Sequence, residues 1–226
     1  HTAYRRQRQM CIRDRNIISS QNVQLLPGKS YTITLKFELG IQLAASNINL
    51  TQNGCTTNDK NDLAKLRWAT GNLKSTGSTN YIWAPSQTEI GYYYAFNKLY
   101  NGSTGDPCSK LNTAYYGTGW RTPSKNELEK LSRCTDKVFT NNGMWFMNKS
   151  LGVFLKAGGV RQESGSGTNG ATYTDHGCYW TSTIGTSKNA YNMEFWNTEA
   201  HVNNTSSWFG LQTNGLLIRC VKGTKQ

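Results

Sequence analysis

Asp175-His176-Gly177-Cys178 puts a carboxylate, an imidazole and a thiol within four consecutive residues, the tightest such grouping in the 226-residue chain. An adjacent imidazole can take the proton from a thiol and make it a nucleophile. The setting argues against that use. A polar loop here runs into the strand Tyr179-Trp180-Thr181-Ser182-Thr183, and Cys178, at the junction, is expected to serve as a disulfide partner. No catalytic residue is assigned. Glu194, Glu199 and His201 carry donor atoms that metals accept, but chance proximity along one strand-loop segment explains them equally well. No metal site is assigned. The Cys residues at 11, 55, 108, 134, 178 and 220 include no C-x-x-C pair, so zinc and thioredoxin-like chemistry have no support. In an exported protein, Cys residues so widely spaced act as staples.

Binding chemistry is better represented. In Tyr191 to Trp196, period-2 alternation turns Tyr191, Met193 and Phe195 inward and Asn192, Glu194 and Trp196 outward. An outward Trp beside an Asn- and Ser-rich loop suits recognition, because Trp gives rigid contact area and Asn and Ser give adaptable hydrogen bonds. The candidate ligand-binding residues are therefore Asn192, Glu194, Trp196, His201, Asn203, Asn204 and Trp208. Tyr92-Tyr93-Tyr94 is the next candidate, although aromatics at that density usually build core. Trp180 is assigned to the core.

Several elements must position these residues. Gly119-Trp120-Arg121-Thr122-Pro123-Ser124 leads into a helix over about 123–133. Thr122 or Ser124 caps it, Pro123 suits its first turn, and Ser124 with Glu127 has capping-box spacing. Leu128, Leu131 and Cys134 share one face, and Trp120 is placed to pack beneath it. Leu63 to Ala69, Tyr81 to Trp83, Val153 to Leu155, Tyr179 to Thr183, Tyr191 to Trp196 and Leu216 to Val221 read as strands. Asn72 to Asn80, Arg161 to Asp175 and Asn197 to Asn214 read as polar loops, the second long enough to be functional or mobile. Before residue 53, Tyr31, Ile33, Leu35 and Phe37 alternate with polar residues, and Ile41, Leu43, Ile48 and Leu50 suggest further short strands.

Apolar residues make up 36% and charged residues 17% of the chain, which favours short strands and long turns over helix bundles. No apolar run approaches the roughly 18 residues that span a bilayer. Residues 1–15 hold five Arg and no Lys, against five Arg and fifteen Lys in the rest. They resemble a translated transposase end of the kind used in sequencing-library preparation. They are read as a scar outside the fold, and Cys11 goes with them. The competing reading is a basic arm for nucleic acid or anionic lipid. Removing those five Arg and Asp14 lowers the formal charge from +12 to +8. The remaining Lys are scattered, so a solvated basic surface and no nucleic-acid partner are expected.

Asp106-Pro107-Cys108, Gly119-Trp120-Arg121-Thr122-Pro123, Gly177-Cys178-Tyr179-Trp180-Thr181-Ser182-Thr183 and Ile218-Arg219-Cys220-Val221-Lys222 occur in that order within about residues 63–222. The ordered set resembles the Fibrobacter succinogenes major paralogous domain. That family is similar to the C-type-lectin-like and formylglycine-generating-enzyme-like folds. The resemblance implies an α+β class, with a C-type-lectin-like mixed domain of short strands and one prominent helix. It implies a secreted or cell-surface module of Bacteroides-type bacteria. The function expected is that of a non-catalytic adhesin or pilus-tip unit, with a glycan or protein ligand on a host or neighbouring cell and pilus subunits as further partners. The alternatives are an enzyme of the formylglycine-generating class and a retroelement-diversified ligand-binding protein. Lectin-like folds place ligand sites in the late region that holds Trp196. By the same analogy Cys108 or Cys134 joins Cys220 or Cys178, and Cys55 is left over. No cofactor is expected. Calcium is the one ion the resemblance leaves open, but Glu-Pro-Asn, Gln-Pro-Asp and Trp-Asn-Asp are absent, with Phe195-Trp196-Asn197-Thr198 approaching the last.

Leu26-Pro27-Gly28-Lys29-Ser30-Tyr31-Thr32-Ile33-Thr34-Leu35 resembles the closing strands of the fimbrillin β-sandwich. The chain then reads as a scar (1–15), a truncated sandwich remnant (16–52), a linker (53–62) and a lectin-like domain (63–226). The other reading of 16–52 is an N-terminal hairpin of the next domain.

Overall fold

Thr56 and Asp59 form a reciprocal helix cap. The Thr56 hydroxyl accepts from the Asp59 N–H at 3.1 Å, and the Asp59 carboxylate accepts from the Thr56 N–H at 3.0 Å. In the computed structural model this cap starts α1, Thr57–Ala64. The expected linker is therefore mostly helix, and the strand expected over Leu63 to Ala69 shrinks to Arg67–Trp68. The cap was present in the sequence. The helix behind it is so polar that apolar periodicity gave no sign of it, with only Asp59 and Leu63 buried.

The structure describes residues 39–48, 54–140, 142–147, 151–163, 165–197, 199–203 and 208–225. The chain divides into His1–Phe37 and Glu38–Gln226. The expected scar (1–15), the strand expected over Tyr31 to Phe37, Leu50 and Asn204 lie outside the described residues. So does the side chain of Trp208.

Strand β1 (Ile41–Gln42) pairs antiparallel with β2 (Arg67–Trp68). Leu43 and Ile48 are buried in the same core as Leu63 and Trp68. Residues 41–48 thus pack into the second unit, where the sequence reading had grouped them with the sandwich remnant. Strands β3 (Leu73–Ser75) and β4 (Tyr81–Trp83) form a hairpin, so the polar loop expected over Asn72 to Asn80 begins with a strand. A short turn of helix, α2 (Thr113–Tyr116), and β5 (Trp120–Arg121) lead into the main helix, α3 (Lys125–Cys134).

Ser124 caps α3, and Glu127 returns the capping-box bond to the Ser124 N–H at 2.7 Å. The fully buried Glu127 carboxylate also takes both guanidinium nitrogens of Arg121, at 2.7 and 2.5 Å. Asp106 accepts from the Thr122 N–H and hydroxyl and from the Cys108 N–H. The Trp-Arg-Thr-Pro-Ser run is therefore an architectural joint. Trp120 does not pack as expected. Its ring meets Trp83 edge-on at 4.7 Å, and its Nε1 donates to the Tyr116 carbonyl.

Strands β6 (Lys137–Phe139), β7 (Gly143–Phe146) and β8 (Val153–Lys156) form one antiparallel sheet. Strands β9 (Gly177–Ile184), β10 (Ala190–Trp196) and β11 (Glu199–Asn203) form another, ordered β11-β10-β9. The closing strand, β12 (Val221–Lys222), lies between β2 and β5. Its register pairs Lys222 with Trp120, and Cys220 shares a buried cluster with Trp120. The result is a mixed α+β architecture.

The β9–β10 pair separates two cores. Tyr179, Met193 and Phe195 join a cluster with Leu128, Leu131 and Phe146. Cys178, Trp180 and Ala190 join a second cluster with Trp83, Tyr94, Trp120 and Ile218. Tyr92, Tyr93 and Tyr94 are buried, and Trp180 is core as expected. Gly177 marks how tightly the sheet packs, since a Cβ there would lie 1.9 Å from the Phe195 ring.

Disulfides join Cys55 to Cys134 and Cys108 to Cys220. Cys55, expected to be left over, is paired, and Cys178, expected to be paired, is free and buried. The Cys55–Cys134 bridge follows from the missed helix. α1 lies beside α3, with Asp59–Arg133 and Asp62–Lys130 ion pairs at 2.8 and 2.7 Å, and this brings Cys55 to the end of α3.

Arg219 is buried with 1% exposure. Its guanidinium donates to Asn72 Oδ1, to the Ala69 carbonyl and to the Phe154 carbonyl at 3.0, 2.9 and 2.8 Å. Burial pushes its pKa down to about 10, so it remains a cation at neutral pH.

Candidate functional site

The site is the exposed end of the β9–β10–β11 sheet. In β10, Trp196 follows Asn192 and Glu194 on the face that meets the second core. The interior positions of that face are covered because they meet the second core, and the segment from Phe209 to Gln212 runs beside the start of β10. Leu211 bridges Asn189, and Gln212 N donates to the Lys188 carbonyl at 2.9 Å. Asn192 is therefore fully buried and Glu194 is 5% exposed. Their assignment as outward ligand contacts is corrected. Alternation was read for a sheet with one solvated face, whereas this sheet is covered on both. Asn192 Nδ2 donates to Glu194 Oε1 at 2.8 Å, and Asn192 Oδ1 has no hydrogen-bond partner among the described residues.

Trp196, at the open end of that face, is 37% exposed. The register places its neighbours. Phe195 pairs with Gly177, which sets His176 beside Trp196, and Trp196 pairs with Glu199 on β11. The His176 ring lies 5.4 Å from Trp196, and the His201 ring lies 5.8 Å away on its other side. Phe209 sits 6.1 Å from His176, and Tyr173, itself 46% exposed, is 5.5 Å from Phe209. Five rings thus form a continuous platform at the surface.

The loop carrying Tyr173 and His176 is fixed from below. Gly158 and Gly159 both donate backbone N–H groups to the His176 carbonyl, at 3.0 and 2.8 Å. Gly159 has φ +68°, and a Cβ there would lie 1.9 Å from the Thr172 carbonyl oxygen, so any side chain would displace this loop.

Two carboxylates rim the platform. Asp175 Oδ1 is 3.0 Å from His176 Nδ1, and Glu199 Oε2 is 3.1 Å from His201 Nε2. The hydrogen bond with His176 holds the Asp175 carboxyl below its ordinary range.

Of the expected residues, Trp196 and His201 come together here. Asn203 sits at the far end of β11, opposite Asn192. The sequence reading missed Tyr173 and Phe209 and treated His176 only as a base for Cys178. The available signal was the long loop before His176 and the Trp208-Phe209 pair inside a polar stretch. β11 itself was read as loop, and its five residues set Glu199 and His201.

The thiol chemistry has no geometry behind it. Cys178 is fully buried, and burial, with Glu194 adding to it, pushes its pKa well above the ordinary value. The folded protein is expected to leave Cys178 unmodified by maleimide, with full labelling after denaturation in guanidinium. Rapid labelling of the native state would reverse this assignment. Cys55, Asp59 and Cys134 bring donor atoms within 4.8 Å of one another, but the two sulfurs are joined to each other. A depression of about 230 Å³ is lined by Gln162, Glu163, Leu211 and Asn214, and Asn214 is committed there to the Glu163 N–H.

Comparison with family models, curated proteins and solved structures finds no significant match. The platform's own chemistry has to carry the functional reading.

Proposed function

We propose that this chain is a non-catalytic binding module of an outer cell surface, an adhesin or pilus-tip unit with a lectin-like domain of the major-paralogous kind. The observation that carries the reading is the platform around Trp196. Side chains of this size normally gain by burial, and a contiguous exposed apolar patch rimmed by polar groups is how interaction sites present themselves. Strand register fixes Trp196 and His201, and an anchored loop carries Tyr173 and His176, so little ordering of these four rings is left to do on binding. The two disulfides fit an oxidising exterior. Among the described residues no helix is long and apolar enough to cross a membrane. The inaccessible Cys178 weighs against the enzyme alternative.

The test is a glycan and host-protein array probed with the wild-type chain, then with Trp196→Ala. Losing a central aromatic anchor costs about 2 kcal/mol or more, so binding is expected to weaken at least tenfold. The far-ultraviolet circular dichroism should not change, because Trp196 is partly exposed. A ligand bound equally well by the variant would place the site elsewhere.

A further inference from the structure

Among the described residues, the carboxylates that meet a basic side chain divide into two kinds. Asp59, Asp62, Glu127 and Glu129 are each answered by an Arg or Lys: Arg133, Lys130, Arg121 and Lys125. Asp175 and Glu199 are answered only by imidazoles among the described residues. Both carboxylates are exposed, with 79% and 62% of their side chains accessible. Both stand at the rim of one aromatic platform, on a chain that carries 25 Lys and Arg against 13 Asp and Glu in all. The second oxygens, Asp175 Oδ2 and Glu199 Oε1, receive no bond from another side chain among the described residues.

We infer that the platform receives a cationic side chain, an arginine displayed by a partner protein. The inference rests on the platform being the binding site. A guanidinium is planar, stacks on the face of Trp, and forks to carboxylate oxygens. Trp196 supplies the ring and the two rim carboxylates supply the acceptors. A neutral sugar would use the stacking but could not draw on the two negative charges. An acidic ligand would be repelled by both. A cation uses the rings and the charges together.

The probes are two acetylated, amidated peptides, Gly-Arg-Gly-Arg-Gly and its neutral twin with citrulline at both arginines, titrated calorimetrically into the full chain. The arginine peptide is expected to bind at least tenfold more tightly. The variant Asp175→Asn with Glu199→Gln, altered only at exposed positions, is expected to keep less than a third of that preference, the remainder being the cation–π attraction of Trp196. Trp196→Ala is expected to lose both. No binding of the arginine peptide, equal affinity for the twins, or a preference that survives either variant undiminished overturns the proposal. An array ligand that is lost with Trp196→Ala but whose affinity is indifferent to the double carboxylate variant would leave the platform standing and remove the cation.

Discussion

The double variant Cys108→Ala/Cys220→Ala is expected to be about 4 to 5 kcal/mol less stable than the parent. The bridge spans a sequence separation of 112, and a link of that length removes much of the unfolded chain's freedom. Both Cys are fully buried. The bond pins the turn at Pro107–Lys110 to the run that ends in β12, the strand joining β2 to β5. Urea unfolding of the two proteins under non-reducing conditions measures the difference. A loss below about 1 kcal/mol, the scale of an ordinary substitution, would mean that noncovalent packing already confines the loop in the unfolded ensemble.

Arg219→Met is the second large effect, at about 3 to 5 kcal/mol, because a buried acceptor left without its donor costs about 1 to 3 kcal/mol. Methionine fills much of the volume but leaves Asn72 Oδ1 and the Ala69 and Phe154 carbonyls without the guanidinium. Arg219→Lys separates charge from geometry. An ammonium is a compact point charge and cannot span acceptors held by a planar fork, so lysine should recover less than half of the loss. Full recovery by lysine would show that charge alone matters there. For a chain of this size each kcal/mol shifts the melting temperature by roughly 2 to 4 °C, so a thermal scan resolves the two variants.

What the sequence made legible depended on how local its cause was. α3 was readable because its cap, its first-turn proline and its apolar stripe all lie within a few turns. β8 was readable from an apolar run and β10 from its period-2 alternation. α1 was hidden because a polar surface helix has almost no stripe to read. Asn192 and Glu194 were misjudged because the second core, which covers their face, is assembled from distant parts of the chain, Tyr94 and Ile218 among them. Trp196 survived the same error because it lies past the edge of that cover. The pairing of Cys55 depended on two helices lying side by side, one of which had not been seen. The resemblance to a lectin-like family pointed to the late region, but the aromatic platform came from register and ring contacts.

The arrangement of the two disulfides also decides how this unit carries mechanical load. A pull that enters before Cys55 and leaves after Cys220 crosses at once to Cys134 through the first bond. From Cys134 two covalent arms reach Cys220: the short one back to Cys108 and across the second bond, and the long one forward along the chain. The short arm tightens first and bears the tension, with α3 in its path. The long arm stays slack, and Tyr173, His176, Trp196, His201 and Phe209 all lie within it. Under stretch the rings of the platform are therefore shielded from the force that the disulfides carry.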